Sequence, residues 1–286
     1  MLRYEVVDVF ADSPYAGNPL AVVFGADDLD TPAMQSIARE FNLSETTFPV
    51  RTATRADYRL RIFTPVNELP FAGHPSVGTA WLMAQRGLVK PGQVTQECGA
   101  GLLPLEVDDD GATLTGGEAS VGDPLEPEPL LSAVGLTIAD YDPVAAPRVA
   151  GTGLPQVHLP VRRAALARAV PDSARILAVD PAGMINLFAW DADSRTSHAR
   201  MFGAGAGVVE DPATGSAALG FGVWLASSEL VPEDGTTTYT IRQGIEMGRP
   251  SRLEGSVTTA GGRVVRTTVR GSVVAVARGE IARPPR

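Results

Sequence analysis

A single cysteine, Cys98, rules out a disulfide within the chain, and such sparing use fits a reducing compartment. Long apolar runs are missing too. The best candidate, Ala217 to Ala226, is far too short to span a bilayer, and Arg3, Glu5 and Asp8 break up any secretory leader. A cytoplasmic location with no membrane partner is the expectation. Positive charge is in deficit. The formal net charge is −9, and Arg162-Arg163 with Arg168 is too thin a cluster to grip a polyanion, so no nucleic acid is expected. The chain also lacks metal-loop spacing. Asp108-Asp109-Asp110-Gly111 has three adjacent carboxylates but reads as a hairpin tip, and no metal is expected. Gly203, Gly205 and Gly207 fall short of the full dinucleotide-binding pattern, which leaves no sign of a cofactor.

What is present is an ordinary soluble composition with an internal echo. The 286 residues are 44% hydrophobic and 20% charged, enough for one large domain or two of common size. Glu68-Leu69-Pro70-Phe71-Ala72-Gly73-His74-Pro75-Ser76-Val77-Gly78 returns near the opposite half of the chain as Glu210-Asp211-Pro212-Ala213-Thr214-Gly215-Ser216-Ala217-Ala218-Leu219-Gly220. Glu, Pro, Gly and Gly keep their places, and each copy runs into an apolar segment. A glycine-bearing loop that feeds a buried helix leaves backbone N–H groups unpaired at the positive end of the helix dipole, which suits an anion. Gly151 to Val161 likewise echoes Gly17 to Val23, so whole domains are repeated rather than one loop.

Reading along the chain, strands are expected at Tyr4 to Phe10, Leu20 to Phe24, Thr46 to Thr52 and Tyr58 to Phe63, with a helix from Thr31 to about Asn42. After the first repeated loop and its helix come strands at Val94 to Glu97, Leu102 to Val107 and Ala112 to Leu114. Gly122 to Pro129, with its prolines and acidic residues, reads as a linker. Beyond it, short helices are expected at Leu130 to Leu136, Ala164 to Ala169 and Ser173 to Leu177. Strands follow at Met184 to Trp190 and Ser197 to Phe202, then the second loop and helix, then a strand-rich tail. The reading is an α+β fold of two similar lobes, each a mixed, curved sheet wrapped around a central helix, with an active-site cleft between them. The first lobe is placed at 1–120 and the second at 130–286, joined at about 121–129, with a last strand that can cross back to the first lobe.

Three places hold candidate chemistry. His74 follows the first glycine of copy one, and Ser216 stands at the matching place in copy two beside Asp211. A buried histidine and a helix-capping aspartate are the plain alternatives for His74 and Asp211. Ser44 in Asn42-Leu43-Ser44-Glu45-Thr46-Thr47-Phe48 can cap a turn, while Glu45 has no position fixed by spacing alone and reads as a solvated strand residue, the usual fate of a glutamate.

Together with Gly17-Asn18-Pro19, Arg242-Gln243-Gly244 and Gly248-Arg249-Pro250-Ser251, these stretches resemble the PhzF family of phenazine-biosynthesis-like isomerases across nearly the whole chain. The resemblance implies the diaminopimelate-epimerase fold and a cofactor-independent isomerase that moves a proton on a small carboxylate-bearing metabolite. It implies a homodimer, Glu45 as acid/base with His74 and Asp211 beside it, and Asn18, Gly73, Gly215 and Ser216 around the substrate. A base near the C–H bond and fixed dipoles where negative charge gathers are what such a step needs. Neither repeated loop carries a cysteine, so the two-thiol mechanism of the epimerase branch is excluded. The alternative is a catalytically silent metabolite-binding or interaction protein on the same fold.

Overall fold

β-Branched and aromatic residues mark the strands, and two apolar helices break their rhythm. The computed structural model describes residues 1–285. In chain order the first elements are β1 (Leu2–Val9), β2 (Asn18–Val23), α1 (Thr31–Phe41), β3 (Glu45–Val50), β4 (Tyr58–Phe63) and the short β5 (Glu68–Leu69). Then follow α2 (Gly73–Gln85), β6 (Gly92–Cys98), β7 (Gly101–Val107) and β8 (Gly111–Thr115). Next come β9 (Ala119–Pro124), α3 (Pro127–Ala133), β10 (Arg148–Thr152), β11 (Gln156–Pro160), α4 (Ser173–Val179), β12 (Met184–Asp191) and β13 (Thr196–Gly203). The chain ends with β14 (Val208–Asp211), α5 (Gly215–Ser227), β15 (Gly235–Gln243), β16 (Ser251–Ala260) and the long β17 (Arg263–Ile281). Two units divide it: Met1–Thr115 with the stretch from Arg270 on, and Gly116–Val269.

In the first unit the strands close a ring. β1 runs antiparallel to β2, β2 parallel to β3, β3 antiparallel to β4, and β4 parallel to β6. β6, β7 and β8 continue as antiparallel neighbours, and β17 pairs with both β8 and β1. Closure leaves this ring no open edge to recruit another strand. The second unit repeats the pattern: β10 antiparallel to β11, β11 parallel to β12, β12 antiparallel to β13, β13 parallel to β15, and β15 antiparallel to β16. Even the short strand before each central helix recurs, β5 on β4 and β14 on β13.

The segment expected as a linker is structured. Residues 119–124 form β9, which pairs with β10, and Pro127 and Pro129 fall in the first turn of α3, where a missing N–H breaks no helical bond. Proline read as a spacer was here a helix start. Asp108-Asp109-Asp110-Gly111 is the β7–β8 turn, with Asp108 Oδ1 accepting from the N–H groups of Asp110 and Gly111 at 2.9 Å each.

The two kinds of helix follow from their sequences. α1 is amphipathic: Asp30 caps it by accepting from the Ala33 N–H at 2.9 Å, and Met34, Ile37 and Ala38 face the core. α2 and α5 are buried almost all round, which suits helices enclosed by sheet. The second repeated glycine explains the close fit. A Cβ on Gly78 would come within 2.5 Å of Val9 and 2.8 Å of Leu20, and one on Gly220 within 2.8 Å of the Ala150 carbonyl and of His158. Glycine is kept there because helix and sheet touch backbone to wall.

The repeated glutamate also has a structural task. Glu68 holds Arg61 of β4 through two contacts of 2.8 and 2.6 Å, and that guanidinium lies over the Phe63 ring. Glu210 holds Arg200 of β13 at 2.9 and 2.7 Å, over Phe202. Each pair pins the short strand that leads into the central helix. Among the described residues no helix is long and apolar enough to cross a membrane.

Candidate active site

In the first unit, three chain starts converge. β2 begins with Asn18, β3 with Glu45 and α2 with Gly73, and parallel pairing sets Glu45 opposite Leu20 on β2. Asn18 is fully buried, and its Oδ1 accepts from the Ser44 hydroxyl at 2.8 Å. That bond turns the other half of the amide, Nδ2, toward His74 Nδ1 at 3.1 Å. An amide NH2 can only donate, so Nδ1 accepts and the ring proton sits on Nε2. Nε2 lies 3.4 Å from Glu45 Oε2. That is long for a hydrogen bond but within reach of one after a small movement.

Burial settles the charge of the imidazole. His74 is 4% exposed and its pKa is lowered to about 3 because burial disfavours the cation. The pair is therefore a neutral N–H donor beside a carboxyl group, not an ion pair. Glu45 keeps 15% of its side chain exposed, so the group is sheltered yet still reachable. No side chain caps α2, and its first turn carries the N–H groups of Gly73 and His74, followed by Pro75, which has none.

The second unit builds its helix start from other parts. Gln156, the first residue of β11, donates to Ser216 Oγ at 2.8 Å, as Asn18 does to His74. Asp211 is not the helix cap; the capping position is Thr214, and its side chain makes no capping bond. Gln243 of β15 instead ties the loop together: Nε2 donates to the Asp211 carbonyl at 2.6 Å and to Thr214 Oγ1 at 3.0 Å. Since Thr214 Oγ1 accepts from that amide, its own proton goes to Asp211 Oδ2. Ser251 closes the network by donating to the Pro212 carbonyl at 2.8 Å.

Each unit thus gathers its own share of the candidates: Asn18, Glu45, Gly73 and His74 in the first, Asp211, Gly215 and Ser216 in the second. Sequence reasoning passed over Thr214, Gln156 and Gln243 as individual groups and read Ser44 only as a residue that can cap a turn. For Ser44, Thr214 and Gln243 the signal was their place inside the family-like motifs. For Gln156 it was a lone amide opening a strand, the place Asn18 holds in the first unit.

Comparison with known proteins bears on the family and the fold. The family model described as "Phenazine biosynthesis-like protein" matches residues 7–279. The Pseudomonas aeruginosa protein named trans-2,3-dihydro-3-hydroxyanthranilate isomerase is 40% identical, with 98% of this chain and 99% of that protein covered. The crystal structure of a Bacillus anthracis phenazine biosynthesis protein of the PhzF family superimposes with a TM-score of 0.90 at 28% identity, covering 98% of this chain and 99% of the other. A probable proline racemase from Agrobacterium radiobacter shares the fold alone, with a TM-score of 0.65 at 13% identity over 100% of this chain and 94% of the other. Relatives named as isomerases match at this level over nearly the whole length, so the protein is an isomerase. With the ring, the buried central helices and the repeated helix starts all in place, the chain belongs to the PhzC-PhzF family of phenazine biosynthesis-like proteins.

Proposed function

We propose that this isomerase relocates a proton on a carbon of a small carboxylate-bearing metabolite, with Glu45 as the group that takes and returns the proton. The observation that carries the reading is the sheltered Glu45–His74 pair, 3.4 Å apart, with a neutral imidazole. A carboxylate that accepts a proton from carbon gains a positioned donor in His74 Nε2–H, which disperses charge on the carboxylate or on a substrate oxygen. Asn18 acts through His74 by fixing its tautomer. In the second unit, Asp211, with Thr214 donating to it, is a further carboxyl group, and Ser216 with the N–H groups from Gly215 onward makes a helix start suited to an anion. The relatives named for a dihydro-hydroxyanthranilate isomerase make that compound the first substrate to try.

The test is solvent deuterium entering carbon. Incubation with trans-2,3-dihydro-3-hydroxyanthranilate in deuterated buffer is expected to give isomerised, carbon-deuterated product. Glu45→Gln keeps the shape and removes the base, so the rate should drop by roughly 10²–10⁴-fold. Exchange at the wild-type rate in that variant would falsify the role given to Glu45.

A further inference from the structure

The β1–β2 connection of the first unit is longer than its counterpart and ends in an exposed aromatic. It runs from Phe10 to Gly17, whereas β10 and β11 are joined by Gly153-Leu154-Pro155 alone. Phe10 is fully buried and packs on Gly271, where a Cβ would meet its ring at 2.1 Å. At the far end Tyr15 sits at φ 67°, in the left-handed region that side chains avoid. Its N–H is held by Asp8 Oδ2 at 2.7 Å, and Asp8 is itself only 2% exposed. A buried carboxylate thus fixes a backbone shape that glycine would adopt more easily. The side chain gains no burial in return, for Tyr15 is 74% exposed.

Its place in the fold gives the ring a use. The connection leaves the ring of strands at the end where β2, β3 and α2 begin, and Asn18, three residues on, grips His74. Phe10, at the loop's other end, shares the left-handed backbone at φ 61° but is accounted for by its packing, whereas the exposed Tyr15 is not, which directs attention to a use for its ring. We propose that Tyr15 is a specificity-determining residue that lays its ring against the flat, unsaturated part of the substrate held at Glu45 and His74. This rests on the function proposed above. A phenol offers a broad apolar face and one polar edge, so it favours ring-bearing, unsaturated carboxylates over open-chain or saturated ones.

Three variants of the full chain test this, with 3-hydroxyanthranilate, the fully aromatic counterpart of the relatives' substrate, as the calorimetric probe. Tyr15→Gly is expected to keep or raise the Tm, since it relieves the backbone, while Kd weakens at least tenfold. Tyr15→Phe should bind within twofold of wild type. In the exchange assay Tyr15→Gly should raise KM and leave kcat within twofold. A wild-type Kd in Tyr15→Gly, a Phe variant as weak as the Gly variant, or no measurable binding by the wild-type chain overturns the assignment. The binding readout needs no proton transfer. Unchanged exchange in Glu45→Gln would therefore remove the proton-carrier reading while Tyr15 is still judged by Kd.

Discussion

The two units share a scaffold and differ where reacting groups can stand. Both pair their strands in the same sense, press a glycine of the central helix onto the sheet, and lock the preceding short strand with an Arg–Glu pair over a phenylalanine. In both, an amide at the start of a strand reaches the residue after the helix's first glycine, Asn18 to His74 and Gln156 to Ser216. The side chains so held are unlike. β3 opens with Glu45, whereas β12 opens Met184-Ile185-Asn186 and has no carboxylate before Asp191 at its far end. The units share what supports a helix start and differ in the side chains placed there, so Glu45, the proposed proton carrier, has no counterpart on β12.

The largest stability difference should come from the Arg–Glu pairs. Arg200 and Glu210 expose 9% and 12% of their side chains, and Arg200 also donates to the Leu166 and Ala169 carbonyls at 2.8 Å each. Arg200→Met leaves a nearly buried carboxylate and two carbonyls without their donor, a loss of about 3–5 kcal/mol. Arg61→Met should cost about 1 kcal/mol or less, because Glu68 is 35% exposed and water can take over. Urea unfolding of both variants decides it; equal losses would break the contrast.

A buried histidine in each unit gives the next effect. His74 lies at the first helix start. His158 lies in the second core against Phe188 and Phe221, with Nδ1 3.0 Å from the Asn186 amide and Nε2 3.3 Å from the Ala150 carbonyl. Both have pKa values lowered to about 3 by burial. Below the ordinary value of 6.5 the unfolded chain binds protons that the folded chain refuses. Stability from these groups is thus full above pH 6.5 and falls as the pH drops from 6.5 toward 3, with a limiting slope of about 1.4 kcal/mol per pH unit for each. His158→Gln should remove one proton's worth of slope between pH 6.5 and 5. Denaturation midpoints that keep the full slope would show that His158 is not refused its proton in the fold.

Much of the scaffold was legible because its causes are local. Gly78 and Gly220 recur since nothing larger fits, and the apolar stretches after them announce buried helices. Glu45 was legible only through family resemblance: its burial and its approach to His74 depend on strand pairing, which spacing does not carry. The partners of Glu68 and Glu210 were hidden for the same reason. Arg61 and Arg200 precede Phe63 and Phe202 by two residues, a pattern that matters only once both strands are in register with the edge. Residues 121–129 misled because proline and acidic residues serve a helix start as well as a spacer.

The smallest expected effect lies one bond beyond the imidazole, and it bears most directly on how the helix starts differ. The Ser44 hydroxyl donates to Asn18 Oδ1 and so decides which end of that amide faces the ring. Removing the hydroxyl lets the amide turn, and with its oxygen toward Nδ1 the ring proton would move there, away from Glu45. Ser44→Ala should lower kcat about fivefold, in keeping with a hydrogen bond worth about 1 kcal/mol, and leave KM unchanged. Nitrogen NMR of the His74 ring should change from one tautomer to two. Ser216 carries no tautomer to set, so replacing its amide partner by Gln156→Leu should produce no such spectral change. A kcat loss in Ser44→Ala without the tautomer mixture would mean that the hydroxyl supports the loop and not the imidazole.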